Sequence, residues 1–218
     1  MRSTASAMHT RTTRPIMRAM QSSASLHDAT VVLDDRVILR AVTLVVGPGL
    51  TLVRGPNGSG KTTLLRALAG LIPLARGDRK VSGEVLYIGH RPMLLRGLTA
   101  RENLEFFVRF RGGDTHGIDG ALRAWGVGED MDRPVERLSA GERRRAALAR
   151  IETERVPLLL LDEPFADLDD AGTKRLGETV RRARDDGRSI VIATHAHPEL
   201  DELARAQIAI GDGVATAA

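Results

Sequence analysis

The chain has 218 residues, 42% hydrophobic and 28% charged, which suffices for one sizeable domain and is too short for two of ordinary size. It contains no Cys, which excludes disulfide frameworks, Cys-ligated zinc and thiol catalysis, and apolar runs such as residues 158–161 are far below the ~20 residues of a membrane-spanning helix. The formal charge of +4 equals Arg2, Arg11, Arg14 and Arg18 of an acid-free N-terminal stretch, so the remainder sums to zero and no nucleic-acid partner is expected.

Residues 1–25 are rich in Ser, Thr, Ala, Arg and Met and lack hydrophobic periodicity, which predicts a disordered basic tail, with an organellar transit segment as the alternative. The ordered body is expected over 26–218. Val31-Val32-Leu33 and Val37-Ile38-Leu39 are β-branched runs about an Asp34-Asp35 turn. Residues 43–46 and 50–53 are two further short apolar segments, broken by Gly47-Pro48-Gly49. A helix is predicted over about 61–71, with Leu64, Leu65, Leu68 and Leu71 at helical spacing. Residues 85–88, 158–161 and 190–193 read as buried strands, and the stretch 99–150 as helix-rich. There Phe106, Phe107, Phe110 and Trp125 are expected mainly in the core. Strands alternating with helices predict an α/β fold around a largely parallel sheet.

The segment Gly55-Pro56-Asn57-Gly58-Ser59-Gly60-Lys61-Thr62 fits G-x-x-x-x-G-K-[ST] at every fixed position and lies between a predicted strand and a predicted helix. Glycines let backbone N–H groups turn inward around phosphate oxygens, where a Cβ would obstruct, and the helix N-terminus adds partial positive charge. Lys61 can reach the β- and γ-phosphates, and the Thr62 hydroxyl can ligate Mg²⁺. These residues predict binding of a nucleoside triphosphate.

Such a loop needs a carboxylate for its metal ion, and Asp162 emerges at the end of the four-leucine strand. Glu163 follows and can address a water attacking the γ-phosphate. Upstream, Ser139 and Glu142 match a capping box that starts a helix. The adjoining Arg143-Arg144-Arg145 reads either as a solvated face or as a nucleic-acid patch.

On these segments the chain resembles the ATP-binding cassette (ABC) family, the ATPase subunits of ABC transporters, over about residues 30–200. Residues 55–63, including Thr63, match the family's phosphate loop, Leu138-Ser139-Ala140-Gly141-Glu142 resembles its LSGGQ signature, and Leu161-Asp162-Glu163-Pro164 its Walker B segment. Leu168-Asp169 resembles the D-loop and Thr194-His195 the switch histidine. The resemblance implies a P-loop NTPase fold with a RecA-like parallel-sheet core and an inserted helical subdomain at about 91–150. It also implies ATP and Mg²⁺ as ligands, and a head-to-tail homodimer in which each ATP meets one copy's phosphate loop and the other's Ser139, Gly141 and Glu142. Catalytic roles are implied for Glu163, His195 and Lys61, a nucleotide contact for Asp169, and separate integral membrane permease subunits as partners. Such a subunit would be cytoplasmic and peripheral on the inner face of the cell membrane.

Departures from the family pattern sharpen the reading. Ala140 replaces a Gly and Glu142 a Gln, and Leu33 stands where the aromatic residue that stacks on adenine is usual. His90 occupies the place of the Q-loop glutamine, nine residues before Thr99 of Leu98-Thr99-Ala100-Arg101-Glu102-Asn103-Leu104, and is a metal-site candidate. A neutral imidazole can orient a metal-bound water. Tyr87-Ile88-Gly89-His90-Arg91-Pro92 together with the Ser-Ala-Gly-Glu signature looks like the heme exporter ATP-binding subunits of cytochrome c maturation. Heme export is therefore one expected process. Another bacterial ABC exporter, or a soluble ABC ATPase without a transport role, is the alternative. In the family the Q-loop and the adjacent helices receive a coupling helix from a membrane partner, and one exposed Phe of 106, 107 and 110 is available to such a groove.

Overall fold

The structure, a computed structural model, describes residues 24–195 and 197–217. The expected tail thus falls largely outside the described residues. Ala24 and Ser25, assigned to the tail by sequence, are the first residues of strand β1 (Ala24–Leu33). β1 pairs antiparallel with β2 (Arg36–Val46) across the Asp34-Asp35 turn, where both Asp residues take positive φ (47° and 60°) as a tight hairpin requires. The runs at 37–39 and 43–46 are one strand, not two. Register shifts along the β1 pairing and a positive φ of 47° at Ala41 mark the bulges that interrupt the hydrophobic alternation and made it read as a break.

The main sheet has the order β5-β6-β7-β3-β8-β9. Its strands are β3 (Gly49–Arg54), β5 (Val85–Ile88), β6 (Leu158–Asp162), β7 (Ser189–Ala193), β8 (Ala204–Gly211) and β9 (Val214–Ala217). β5, β6, β7, β3 and β8 run parallel, and β9 turns back antiparallel on β8. A second sheet sets β1 between β2 and β4 (Arg76–Val81). β4, of sequence Arg-Gly-Asp-Arg-Lys-Val, has no apolar face and is held as an edge by backbone pairing to β1.

Side chains of the central strands alternate between two cores, as the period of two dictates. Leu158 and Leu160 of β6, with Val191 of β7, face the second sheet and α1 (Lys61–Ala69), whose Leu64, Leu65 and Leu68 complete that layer. Leu159 and Leu161, with Ile190 and Ile192, face the helices inserted between β5 and β6 and the helix after β6. These are α2 (Ala100–Phe110), α3 (Ile118–Ala124), α4 (Ala140–Thr153) and α5 (Asp170–Asp185), followed by the short α6 (Pro198–Asp201). Because Leu160 is 0% exposed, Leu160→Ala is expected to cost about 2–5 kcal/mol. The measurement is the urea midpoint, which should fall with the slope of the transition unchanged.

At the far end of the sheet from the phosphate loop, Arg188 is buried. It donates to the carbonyls of Ile151 (2.8 Å), Glu154 (3.2 Å) and Val156 (2.7 Å), fastening the end of α4 to the entry of β6. Burial pushes its pKa down to about 10. Trp125 is core as expected, with Nε1–H donated to Glu152 at 3.0 Å. Phe106 and Phe110 are not. α2 buries Ala100, Asn103, Leu104 and Val108, and this leaves positions 106 and 110 on its outer side at 47% and 80% exposure.

Candidate functional site

Register across the parallel strands builds the site. Asp162 of β6 lies opposite Ala193 of β7, and Ala193 lies opposite Val53 of β3, so three strands end at one level. The loops leaving them carry Gly55 to Thr62, Glu163 and His195, at the carboxyl edge where open α/β sheets bind ligands.

In the phosphate loop, Gly60 caps α1 with φ 107°, a conformation that favours glycine. A Cβ at Gly55 would lie 2.2 Å from the Ile210 carbonyl oxygen and 2.7 Å from Ser59 Oγ, so the loop admits no side chain there. Lys61 is buried, and its ammonium donates to the carbonyls of Gly55 (2.9 Å) and Pro56 (3.0 Å). Ser59 Oγ is buried with no hydrogen-bond partner. A loop closed to a side chain at Gly55, an unsatisfied hydroxyl and a cation held by loop carbonyls fit a phosphate-bearing ligand.

The carboxylate end is wired to this loop. Thr62 Oγ1 donates to Asp162 Oδ1 at 3.1 Å, which sets two oxygen donors side by side as a hard divalent cation requires. Tyr87 donates its hydroxyl proton to Asp162 Oδ2 at 3.3 Å, and Arg66 Nε donates to the same hydroxyl at 3.4 Å. Burial pushes the Tyr87 hydroxyl up from its ordinary pKa, which keeps it a donor. This link was not anticipated from sequence. Glu163 sits at φ 46°, with its N–H donated to Ala193 O at 2.8 Å. Its carboxylate lies 3.7 Å from His195 Nε2.

The capping box on α4 is complete, with Glu142 N–H donated to Ser139 Oγ at 3.2 Å and Ser139 N–H donated to the Glu142 carboxylate at 2.6 Å. Asp169 caps α5 by accepting from Gly172 N–H at 2.8 Å and pairs with Arg145 at 3.3 Å. Among the described residues, no hydrogen bond or ion pair joins Ser139, Gly141 or Glu142 to the phosphate loop of the same chain. His90 has an exposed side chain and accepts through its backbone carbonyl, from Arg144. No group of three or more His, Asp or Glu side chains among the described residues forms a metal cluster, so His90 is not gathered with the acids at Asp162.

The arginine run is neither a solvated face nor a nucleic-acid patch. Arg143 donates to the Leu138 carbonyl, Arg144 is wholly buried, and Arg145 pairs with Asp169. Consecutive helical positions point about 100° apart, so three identical residues took three different environments.

A family model described as ABC transporter matches residues 39–166. The cytochrome c biogenesis ATP-binding export protein CcmA of Sphingopyxis alaskensis is 38% identical over 173 residues, covering 78% of this chain and 89% of that protein. The protein of the same name from Paracoccus denitrificans is 42% identical over 155 residues, covering 71% of this chain and 73% of its own. An ATP-binding subunit of an ABC transporter has the same fold, with a TM-score of 0.81 at 21% identity over 89% of both chains. A dimeric bacterial ABC transporter cassette superposes with a TM-score of 0.79 at 20% identity, over 88% of this chain and 95% of that one. With its phosphate loop and paired acids joined across β3, β6 and β7, the protein belongs to the ABC transporter family, as an ATP-binding ATPase subunit homologous to the CcmA proteins.

Proposed function

We propose that two copies of the chain close head to tail over two ATP molecules and drive separate integral membrane subunits, in the export step that serves cytochrome c biogenesis. Heme is the cargo that the resemblance suggests. The observation that carries the reading is the bond from Thr62 of the phosphate loop to Asp162, with Glu163 next to it facing His195, in a chain with CcmA relatives at 36–42% identity. The copies would work on the inner face of the cell membrane. In keeping with membrane-spanning work done by other subunits, no helix of the described residues is long and apolar enough to cross a membrane.

Lys61 would leave the Gly55 and Pro56 carbonyls for the β- and γ-phosphates, and Ser59 would find its missing partner there. Thr62 and Asp162 would supply oxygens for Mg²⁺, and the exposed His90 side chain, apart from them, has no part in that set. When bound, Mg²⁺ supplies charge neutralisation on the phosphate oxygens. Glu163 would polarise the attacking water and His195 would hold the γ-phosphate end. From the partner copy, Ser139, the Gly141 N–H and the start of α4 would complete the site, and Asp169 would border it.

Met93, Leu95, Phe106 and Phe110 are exposed apolar residues on or beside α2, close to the loop that carries His90. Such a surface suits a membrane subunit's cytoplasmic helix. Affinity purification from native membranes is expected to recover integral subunits with the wild-type chain and to lose them with Phe110→Asp. Recovery of no membrane protein by the wild type would overturn the transporter reading.

A further inference from the structure

Arg144 lies on α4, five residues beyond the Ser139 cap, and is 0% exposed. Its guanidinium bonds to backbone carbonyls. Nη1 donates to Gly89 (2.8 Å), Nη2 to His90 and to Glu163 (3.4 Å), and Nε to Ala166 (3.3 Å). Burial lowers its pKa, and Asp162 and Asp167 act on it through space. A buried charge is costly unless its donors are satisfied, and a planar fork of five N–H groups can satisfy acceptors on several segments at once. Those acceptors belong to the loop after β5, which carries His90, and the loop after β6, which carries Glu163.

Two further contacts key the same helix to the same loop. A Cβ at Gly141 would lie 3.0 Å from the Asp167 carbonyl oxygen, so helix and loop touch there without a side chain between them. Arg145 pairs with Asp169 at 3.3 Å. The first turns of α4 therefore cannot shift while residues 163–169 and 89–90 stay in place.

We propose that Arg144 is a positioning residue that couples the two nucleotide sites of the dimer. This rests on the head-to-tail arrangement proposed above. In that arrangement the loops at 89–90 and 163–166 lie on the side of the chain's own phosphate loop. The start of α4 meets the ATP held by the partner copy. The guanidinium joins them within one chain, so occupancy of one site sets the geometry offered to the other. A side chain without the guanidinium fork could not reach all four carbonyls and would leave the loops and the helix free to move separately.

The test is the ATP dependence of phosphate release by the wild type, Arg144→Gln and Arg144→Lys, with folding followed by thermal melts and ADP affinity by titration. Expected are a Hill coefficient above one for the wild type, and about one for either folded variant, with ADP affinity unchanged. A folded variant that keeps the wild-type Hill coefficient overturns the proposal, as does a hyperbolic wild type. Hydrogen exchange on the wild type with and without ADP needs no variant and no dimer. Amides of 139–145 should change protection together with those of 163–169. A change at 163–169 alone, or at neither segment, overturns the coupling. A Glu163→Gln protein that stays monomeric in ATP would instead remove the dimer, leaving the ADP experiment to decide on Arg144.

Discussion

Replacing Glu163 by Gln is expected to lower ATP turnover by about 10²–10⁴-fold, the range of a general base, while ATP binding survives. The substitution keeps shape and removes only the charge proposed to polarise water. The backbone around it is held independently of the side chain, by the bond from its N–H to Ala193 O and by Arg144 at its carbonyl. The positive φ of 46° is therefore retained in the variant, and the loss is chemical rather than structural. Single-turnover phosphate release measures the first quantity and a fluorescent nucleotide titration the second. Light scattering in ATP should find the variant accumulating as a dimer that no longer reopens. Turnover within a few-fold of wild type would remove Glu163 from its role and leave water activation to another group.

Lys61→Ala is expected to fail earlier, at binding. The Lys61 ammonium is buried and held by two carbonyls of the loop, next to the proposed phosphate position. Its removal would take away the proposed charge-assisted contacts to the phosphates and the internal bonds that shape the loop. ATP affinity and turnover should each fall by about 10²-fold or more. The pair of variants separates the two functions: one loses kcat with affinity kept, the other loses both. A Lys61→Ala protein that binds ATP as tightly as the wild type would contradict the phosphate reading of the loop.

Much of the site was legible because its chemistry demands rare residue combinations. Gly55 stands where no Cβ fits and Gly60 at a positive φ, and Asp162 needs four apolar residues to drive its strand through the core. The α4 start was legible from Ser139 and Glu142 because a capping box is local in sequence. What escaped was non-local or masked by composition. β4 carries no apolar alternation and is a strand only because β1 offers it backbone partners. The bulge at Ala41 made one strand look like two. Tyr87 gave no sign that its hydroxyl serves Asp162, 75 positions away. Arg144 is flanked by two other arginines, and nothing in the string distinguishes the one that the helix turns inward. Phe106 and Phe110 followed the usual rule for aromatics into the core, and the burial of Ala100, Leu104 and Val108 on the opposite face decided otherwise.

The run of four identical leucines in β6 has a consequence for where chemistry happens. Identical side chains on both faces carry no information about alignment. A slide of the strand past β5 and β7 would bury the same groups and keep the same ladder. The alignment must be set by the strand's ends. At the entry, Arg188 grips the carbonyls of Ile151, Glu154 and Val156, and Ser189 N–H bonds the Pro157 carbonyl. About 16 Å further along, at the usual rise of a strand, stand Asp162 and Glu163. A clamp at the remote edge of the sheet thus fixes the address of the two carboxylates. Damage to it would surface as misplaced chemistry before it surfaced as unfolding.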